Sequence, residues 1–178
     1  MKHRRLLLSA ALIFAVLCAV AGRIRVLAAE GLPDVRLNAD SIAPRSIEEL
    51  TGRNVTRDYA YAWRDLALAL NRNQKGMLND YFTGFAKDDF ANRIADQARS
   101  GLRTQYVDHG HKVKAFFYSI DGSAMQLIDQ AQVEVRILDG DKVVHQENGT
   151  QTYLVLMTPG ADRWFVRSIQ ALNNASDF

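Results

Sequence analysis

The sequence is poor in the residues that small exported or metal-holding domains depend on. It has one cysteine in 178 residues, Cys18, and three prolines. A lone cysteine forms no intrachain disulfide, and here it falls in an N-terminal leader, so the remainder carries no thiolate nucleophile and no cysteine metal site. Histidine is scarce, with four copies, and only His109-Gly110-His111 brings two together. In a strand, residues i and i+2 point the same way, as a metal would require, but no third ligand accompanies the pair and Gly110 reads as a turn. No metal and no cofactor is expected. A phosphate-cradling glycine loop, a dinucleotide fingerprint, a zincin helix and a nucleophile elbow are all missing, so neither nucleotide chemistry nor hydrolysis has a sequence basis. Excess basic charge is missing too. The formal charge of +2 comes from the leader: residues 1–29 hold Lys2, Arg4, Arg5, Arg23 and Arg25 with no acid, leaving 17 basic against 20 acidic residues beyond it. A net charge of about −3 excludes the basic stripe of a nucleic-acid-binding domain.

What is present begins with that leader. A basic flank precedes Leu6–Gly22, 17 uncharged residues. Ala19-Val20-Ala21 offers a small-residue cleavage site, with Val26-Leu27-Ala28 as a second. At about 1.5 Å per residue, residues 6–22 also just reach across the roughly 30 Å hydrocarbon core, and Arg23 and Arg25 disfavour cleavage at the first site. A signal anchor is favoured over a cleaved signal peptide. Either way the basic flank stays inside, and the body lies outside the cytoplasm, tethered to the membrane or secreted. The expected organisation is a leader over 1–29, a tether over 30–45 marked by Pro33 and Pro44, a domain over 46–174 and a tail over 175–178.

The domain is organised around Thr56–Asn71. Tyr59, Ala60, Trp63, Leu66, Ala67 and Leu70 form one face of a 3.6-residue repeat, with Thr56 as N-cap and Arg57, Asp58, Arg64 and Asp65 expected to stay wet. Tyr61 and Leu68 make the opposite side apolar as well, so this helix needs neighbours on more than one side. Ser46 and Glu49 match a capping box that opens a helical turn or two ahead of it. Gln74–Phe82 reads as a short helix and Ala86–Ser100 as a longer one stopped by Gly101. After Gly101 the period becomes two. Val113, Ala115, Phe117 and Ser119 share a face, as do Met125, Leu127, Asp129, Ala131, Val133, Val135 and Ile137. Asp121-Gly122, Asp139-Gly140-Asp141 and Thr158-Pro159-Gly160 punctuate the runs, with a bulge expected at Gly149 and the last strand at Trp164–Ala171. The fold class is therefore α+β: three N-terminal helices packed on the concave face of a curved four-stranded antiparallel sheet.

The Trp-bearing helix DYAYAWRDLALAL, the hairpin YSIDGSAM, the strand AQVEVRILDG and the terminal DRWFVRSIQAL together resemble the nuclear transport factor 2-like, cystatin-like superfamily of cone-shaped domains, over roughly residues 46–174. That resemblance is one of element pattern and assigns no functional residue. It implies one of two uses of the cone. Isomerases, dehydratases and polyketide cyclases of the superfamily use the interior as a pocket, whereas its anchored, exported members serve in the assembly of secretion machinery. The anchor and tether favour the second: a non-catalytic binding or assembly module whose outer sheet face (Gln130, Gln132, Glu134, Arg136) meets a protein partner or a second copy.

For the first use, Asp129 is the candidate. It interrupts an apolar face, where burial raises a carboxyl pKa, and with Tyr59 or Tyr61 it could polarise a carbonyl. A second base is not identifiable, and Arg167 or an outward bulge could instead neutralise the acid. If the cone is open, Tyr59, Trp63, Phe117 and Asp129 should line a ligand pocket. If it is filled, Tyr59 and Trp63 bury against the sheet and the helix acts as a plug.

Overall fold

The computed structural model describes residues 31–172; the leader and its proposed membrane segment 6–22 lie outside them. The order of elements is β1 (Val35–Asn38), β2 (Ala43–Pro44), α1 (Glu49–Arg72), a 3-10 helix (Lys75–Asp80), α2 (Gly84–Arg99), β3 (Leu102–Tyr118), β4 (Met125–Asp139), β5 (Lys142–Pro159) and β6 (Trp164–Leu172). No helix among the described residues is long and apolar enough to cross a membrane.

Helix α1 starts seven residues before the expected cap. Its N-cap is Glu48, which makes no side-chain cap bond, so neither Thr56 nor the Ser46–Glu49 box caps it. Thr56 is inside the helix, and its hydroxyl donates back to the Gly52 carbonyl at 2.8 Å, the other local bond open to threonine. The helix ends at Arg72, one residue beyond the expected Asn71. Asn73 adopts the left-handed conformation (φ 54°) and its N–H reaches the Ala69 carbonyl. Asn73 also begins a polar clasp. Its amide donates to the Leu102 carbonyl, and Gln97 donates to Asn73 Oδ1 and to the Leu70 carbonyl while accepting from Thr104. The ends of α1, α2 and β3 are thereby tied with their polar groups satisfied.

The sheet has six strands and is mixed, which corrects the four-stranded antiparallel expectation. β3, β4, β5 and β6 form the expected antiparallel meander. Two further strands come from the stretch read as a tether: β1 runs parallel to β3 with Val35 opposite His111, and β2 pairs parallel with the end of β3. Parallel neighbours need a long crossover, and here the three helices are that crossover. β3 starts at Leu102, where the change of period after Gly101 indicated, but β5 carries no bulge at Gly149, which stands in register opposite Val133.

The core lies between α1 and the inner sheet face. Tyr59, Trp63, Leu66 and Leu70 are buried, as are Met125, Leu127, Asp129, Ala131 and Val133 of β4. The second side of α1 also finds company, with Tyr61 stacked on Tyr81 at 5.4 Å between ring centroids. Two residues expected in water are not there: Asp58 is 1% and Asp65 5% exposed. Asp58 Oδ2 accepts the Trp164 N–H at 2.8 Å, while Oδ1 takes Arg57 Nε–H. An acid on the helix thus receives the first backbone N–H of β6, a group that would otherwise be orphaned in the core.

Asp58→Ala leaves that N–H buried without a partner and should cost about 1–3 kcal/mol. Asp34→Ala, which breaks an exposed pair with Arg36, should cost about 1 kcal/mol or less. Urea unfolding midpoints of the two variants check the ranking.

Candidate functional site

A line of four polar side chains crosses the interior. Tyr59 on α1 donates its hydroxyl proton to Asp129 Oδ2 on β4 at 2.7 Å. The same oxygen lies 2.8 Å from His111 Nδ1 on β3, and His111 Nε2 lies 2.7 Å from Asp108 Oδ2. Both ring nitrogens face carboxylate oxygens, so both are donors, which requires the imidazolium. Burial opposes that charge, but the hydrogen bonds to Asp108 and Asp129 outweigh it and hold the His111 pKa up at about 9. Tyr59 is pushed well above its ordinary value, first by burial and then by the Asp129 charge. Tyr153, opposite Asp129 on β5, is raised mainly by burial.

Local backbone places these groups. A register shift between Asp108 and Gly110 makes His109 the extra residue of a bulge, with Gly110 at φ 122°, a conformation that favours glycine. Gly110 N–H donates to Asp108 Oδ1 at 2.8 Å, which leaves Oδ2 for the histidine. The bulge sends His109 to the surface and His111 into the core. The two histidines therefore do not converge, and among the described residues no group of three potential ligands could hold a metal.

The structure brings Tyr59, Trp63 and Asp129 together. Trp63 packs on His111 with ring centroids 4.7 Å apart and on Tyr153 at 5.5 Å. Trp63 Nε1 and Asp129 Oδ1 are buried and make no hydrogen bond. Phe117 does not join them. A second bulge, between Ala115 and Phe117, reverses the alternation. Phe117 then pairs with Gln126 of the outer face and Tyr118 takes the inward place opposite Met125. Asp129 meets His111 rather than Arg167, whose side chain lies beside Gly84. His111 is the partner that the sequence pattern does not reveal. Counting back by two from the inward Val113 reaches it, but Gly110 reads as a turn that ends the strand.

With Tyr59 1% and Asp129 0% exposed, the inner end of the line is closed to a substrate, while Asp108 at its outer end is partly exposed, and two hollows near it are bordered by neither Tyr59 nor Asp129. These lie on the opposite face of the sheet. One, of about 710 Å³, is lined by Arg36 and Asn38 of β1, Lys112, Lys114 and Phe116 of β3, Ile128 and Gln130 of β4, and Thr152 of β5. A second, of about 310 Å³, shares Arg36, Lys112 and Gln130 with it, continues to Gln132 and Thr150, and reaches Asp34, His109, Gly110 and His111. Of the four outer-face residues expected to meet a partner, Gln130 and Gln132 line these hollows. Glu134 and Arg136 instead pair with each other, and Gln146 also donates to Glu134.

This architecture, helices packed on a sheet built largely from a long antiparallel meander, is found in a solved structure. The intermembrane-space region of the chloroplast protein ARC6 superposes with a TM-score of 0.63 at 17% identity, covering 74% of this chain and 100% of that one. The fold is shared with the ARC6 region. Looser matches include a protein of the nuclear transport factor 2-like family from Streptomyces avermitilis, named as a dehydratase (TM-score 0.43, 10% identity, 67% of this chain and 96% of that one). A domain of cystatin-like fold from Nostoc punctiforme also matches (0.40, 14%, 71% and 80%). At such identities the likeness to the ARC6 region is one of fold, and the two looser matches carry no argument about this chain. Neither a protein-family model nor a curated protein matches the sequence.

The His111 charge gives stability a definite pH dependence. Its folded pKa of about 9 exceeds the ordinary 6.5, so the folded state holds the extra proton between those values. The contribution is full below about pH 6.5, falls as pH rises, and is gone above about pH 9. A loss on the order of 3 kcal/mol is expected across that window. Urea midpoints at intervals from pH 6 to 9.5 should show this slope in the natural chain and lose it in His111→Gln.

Proposed function

We propose that this chain is an exported, membrane-tethered, non-catalytic binding or assembly module, held by residues 6–22 and meeting its partner through the outer face of the sheet. The observation that carries this reading is the filled cone. Tyr59 and Trp63 pack against the inner face with almost no exposure, and the acid that could do chemistry is spent on neutralising His111. The free surface is the opposite face, where the two hollows lie. A domain of the same fold in ARC6 is named for an intermembrane space, an aqueous compartment bounded by membranes, and the proposed setting here is of that kind. The tether would then be short, because β1 begins at Val35, 13 residues after Gly22.

The other reading is a small-molecule site or an isomerase-, dehydratase- or cyclase-like centre at Asp129. One observation favours it: Asp129 Oδ1 is buried without a hydrogen-bond partner, a costly state that a ligand donor would relieve. It requires Trp63 and Tyr59 to move aside.

Photo-crosslinking in intact cells separates the two readings. A photoreactive side chain replacing the exposed Gln132 should give a discrete adduct in the membrane fraction, and one replacing the exposed Asp88 on α2 should not. A chain found in the cytosol, or the same adducts from both positions, would reject the module. The enzymatic reading would gain if a ligand bound to the natural chain and not to Asp129→Asn.

A further inference from the structure

The outer-face groove has a definite chemistry. Lys112 and Lys114 are exposed and alternate along β3, so both ammonium groups rise from the same face. Arg36 stands beside them on β1, in register opposite Lys112. No acid lines the larger hollow, and the one acid lining the second is Asp34. Arg36 is paired with Asp34, but neither lysine has an ion-pair partner among the described residues. This positive strip sits on a chain whose body is net negative, so it is local and not part of a general basic surface. Between the cations, Phe116 and Ile128 give the hollow an apolar floor, and Asn38, Gln130 and Thr152 supply hydrogen-bonding groups around it.

The groove is also long. From the Gly110 end of the second hollow to Phe116 of the first is six residues along β3, about 20 Å. A compact ligand of ordinary size would leave much of that length empty. An extended chain of about six residues would span it. The amides and hydroxyls at its borders suit peptide groups, and the lysines suit carboxylates.

The geometry points to an extended acidic segment of a partner protein as the occupant of this groove, with a bulky apolar side chain on Phe116 and Ile128 and carboxylates on Lys112 and Lys114. This inference rests on the partner-binding reading above and specifies the partner's chemistry. Desolvated apolar contact supplies the anchor, as at other interfaces. The lysines supply orientation and discrimination against basic sequences.

The test uses the full chain in neutral detergent and a fluorescent, end-capped hexapeptide with glutamate at positions 2 and 4, phenylalanine at position 6 and serine elsewhere, so that in extended form the two carboxylates and the ring share one face. Its counterpart has lysine in place of glutamate. The acidic peptide should bind, more weakly as salt rises, and the basic one should not. The K112Q/K114Q double variant should bind about tenfold more weakly, and Phe116→Ala should weaken binding while leaving the salt dependence in place. All three positions are away from the inner core, and an unchanged circular dichroism spectrum verifies folding. Equal binding of both peptides, or undiminished binding by the double variant, would overturn the inference. So would a protein that ignores both peptides but binds phosphatidylglycerol bicelles through Lys112 and Lys114, which would make the strip a membrane-facing surface. If the peptide fails while Gln132 still yields its crosslinked adduct, the acidic-segment inference falls and the binding module stands. If both fail, both fall.

Discussion

An ionised carboxylate placed in the centre of an apolar face must be neutralised where it stands, because the interior offers it no water. Asp129 is in that position, and much of the inner architecture answers to it. His111 supplies the countercharge, Tyr59 a hydrogen bond from the helix, and Asp108 a second carboxylate that holds the imidazolium from its other side. Three elements, α1, β3 and β4, are joined by these contacts. Buried ion pairs add little net stability over an apolar core of the same volume, and their better-attested use is to specify one arrangement. Here the arrangement specified is register. With Val113 opposite Asp129, the acid and His111 share the inner face. A slip of one residue would turn every inward side chain of a strand outward and leave one charge buried alone.

The same contacts fill the space between α1 and the sheet. Trp63 lies across His111 and Tyr153, and Tyr59 reaches beneath it to Asp129. The helix therefore occupies the space that a pocket would need, and the groups that resemble catalytic machinery are engaged with one another. Asp58 fastens the other flank of α1 to the start of β6. A helix pinned on both flanks by buried acids is held to the sheet by direction as well as by area, which suits a rigid support for a surface on the far side. That surface is where β1 contributes most: Arg36 and Asn38 form one wall of the groove, and without β1 the hollow would be open along that side.

Much of this was legible in the sequence where the signal is local. The alternation of Met125 to Val133 identified the inner face of β4, the repeat of Tyr59, Trp63, Leu66 and Leu70 identified the buried stripe of α1, and Asn73 ended the helix as its side chain permits. Asp129 stood out because a single acid in an apolar row is visible by eye. What failed were features with no local signature. β1 is four residues long and pairs with a strand more than seventy residues away, so its alternation of Val35 and Leu37 with Arg36 and Asn38 was too short to register. Asp58 and Asp65 read as wet because a helical wheel records position on the helix and not what stands opposite. The bulges at His109 and Phe116 each insert one residue, and each reverses the facing of the residues beyond it, which moved Phe117 out of the candidate pocket and Tyr118 into the core.

The sequence by itself determined the three helices and the four-strand meander after them, the buried faces of α1 and β4, and the acid set among apolar neighbours, because these depend on periodicity and residue type within a single segment. Tertiary structure alone decided that Asp129 meets His111, that the space between α1 and the sheet is filled, that the sheet is mixed, and that two lysines and a phenylalanine of β3 border one groove with an arginine of β1. Those facts depend on register and bulges between distant segments. A change of one residue in pairing reverses them without altering anything that can be read along the chain.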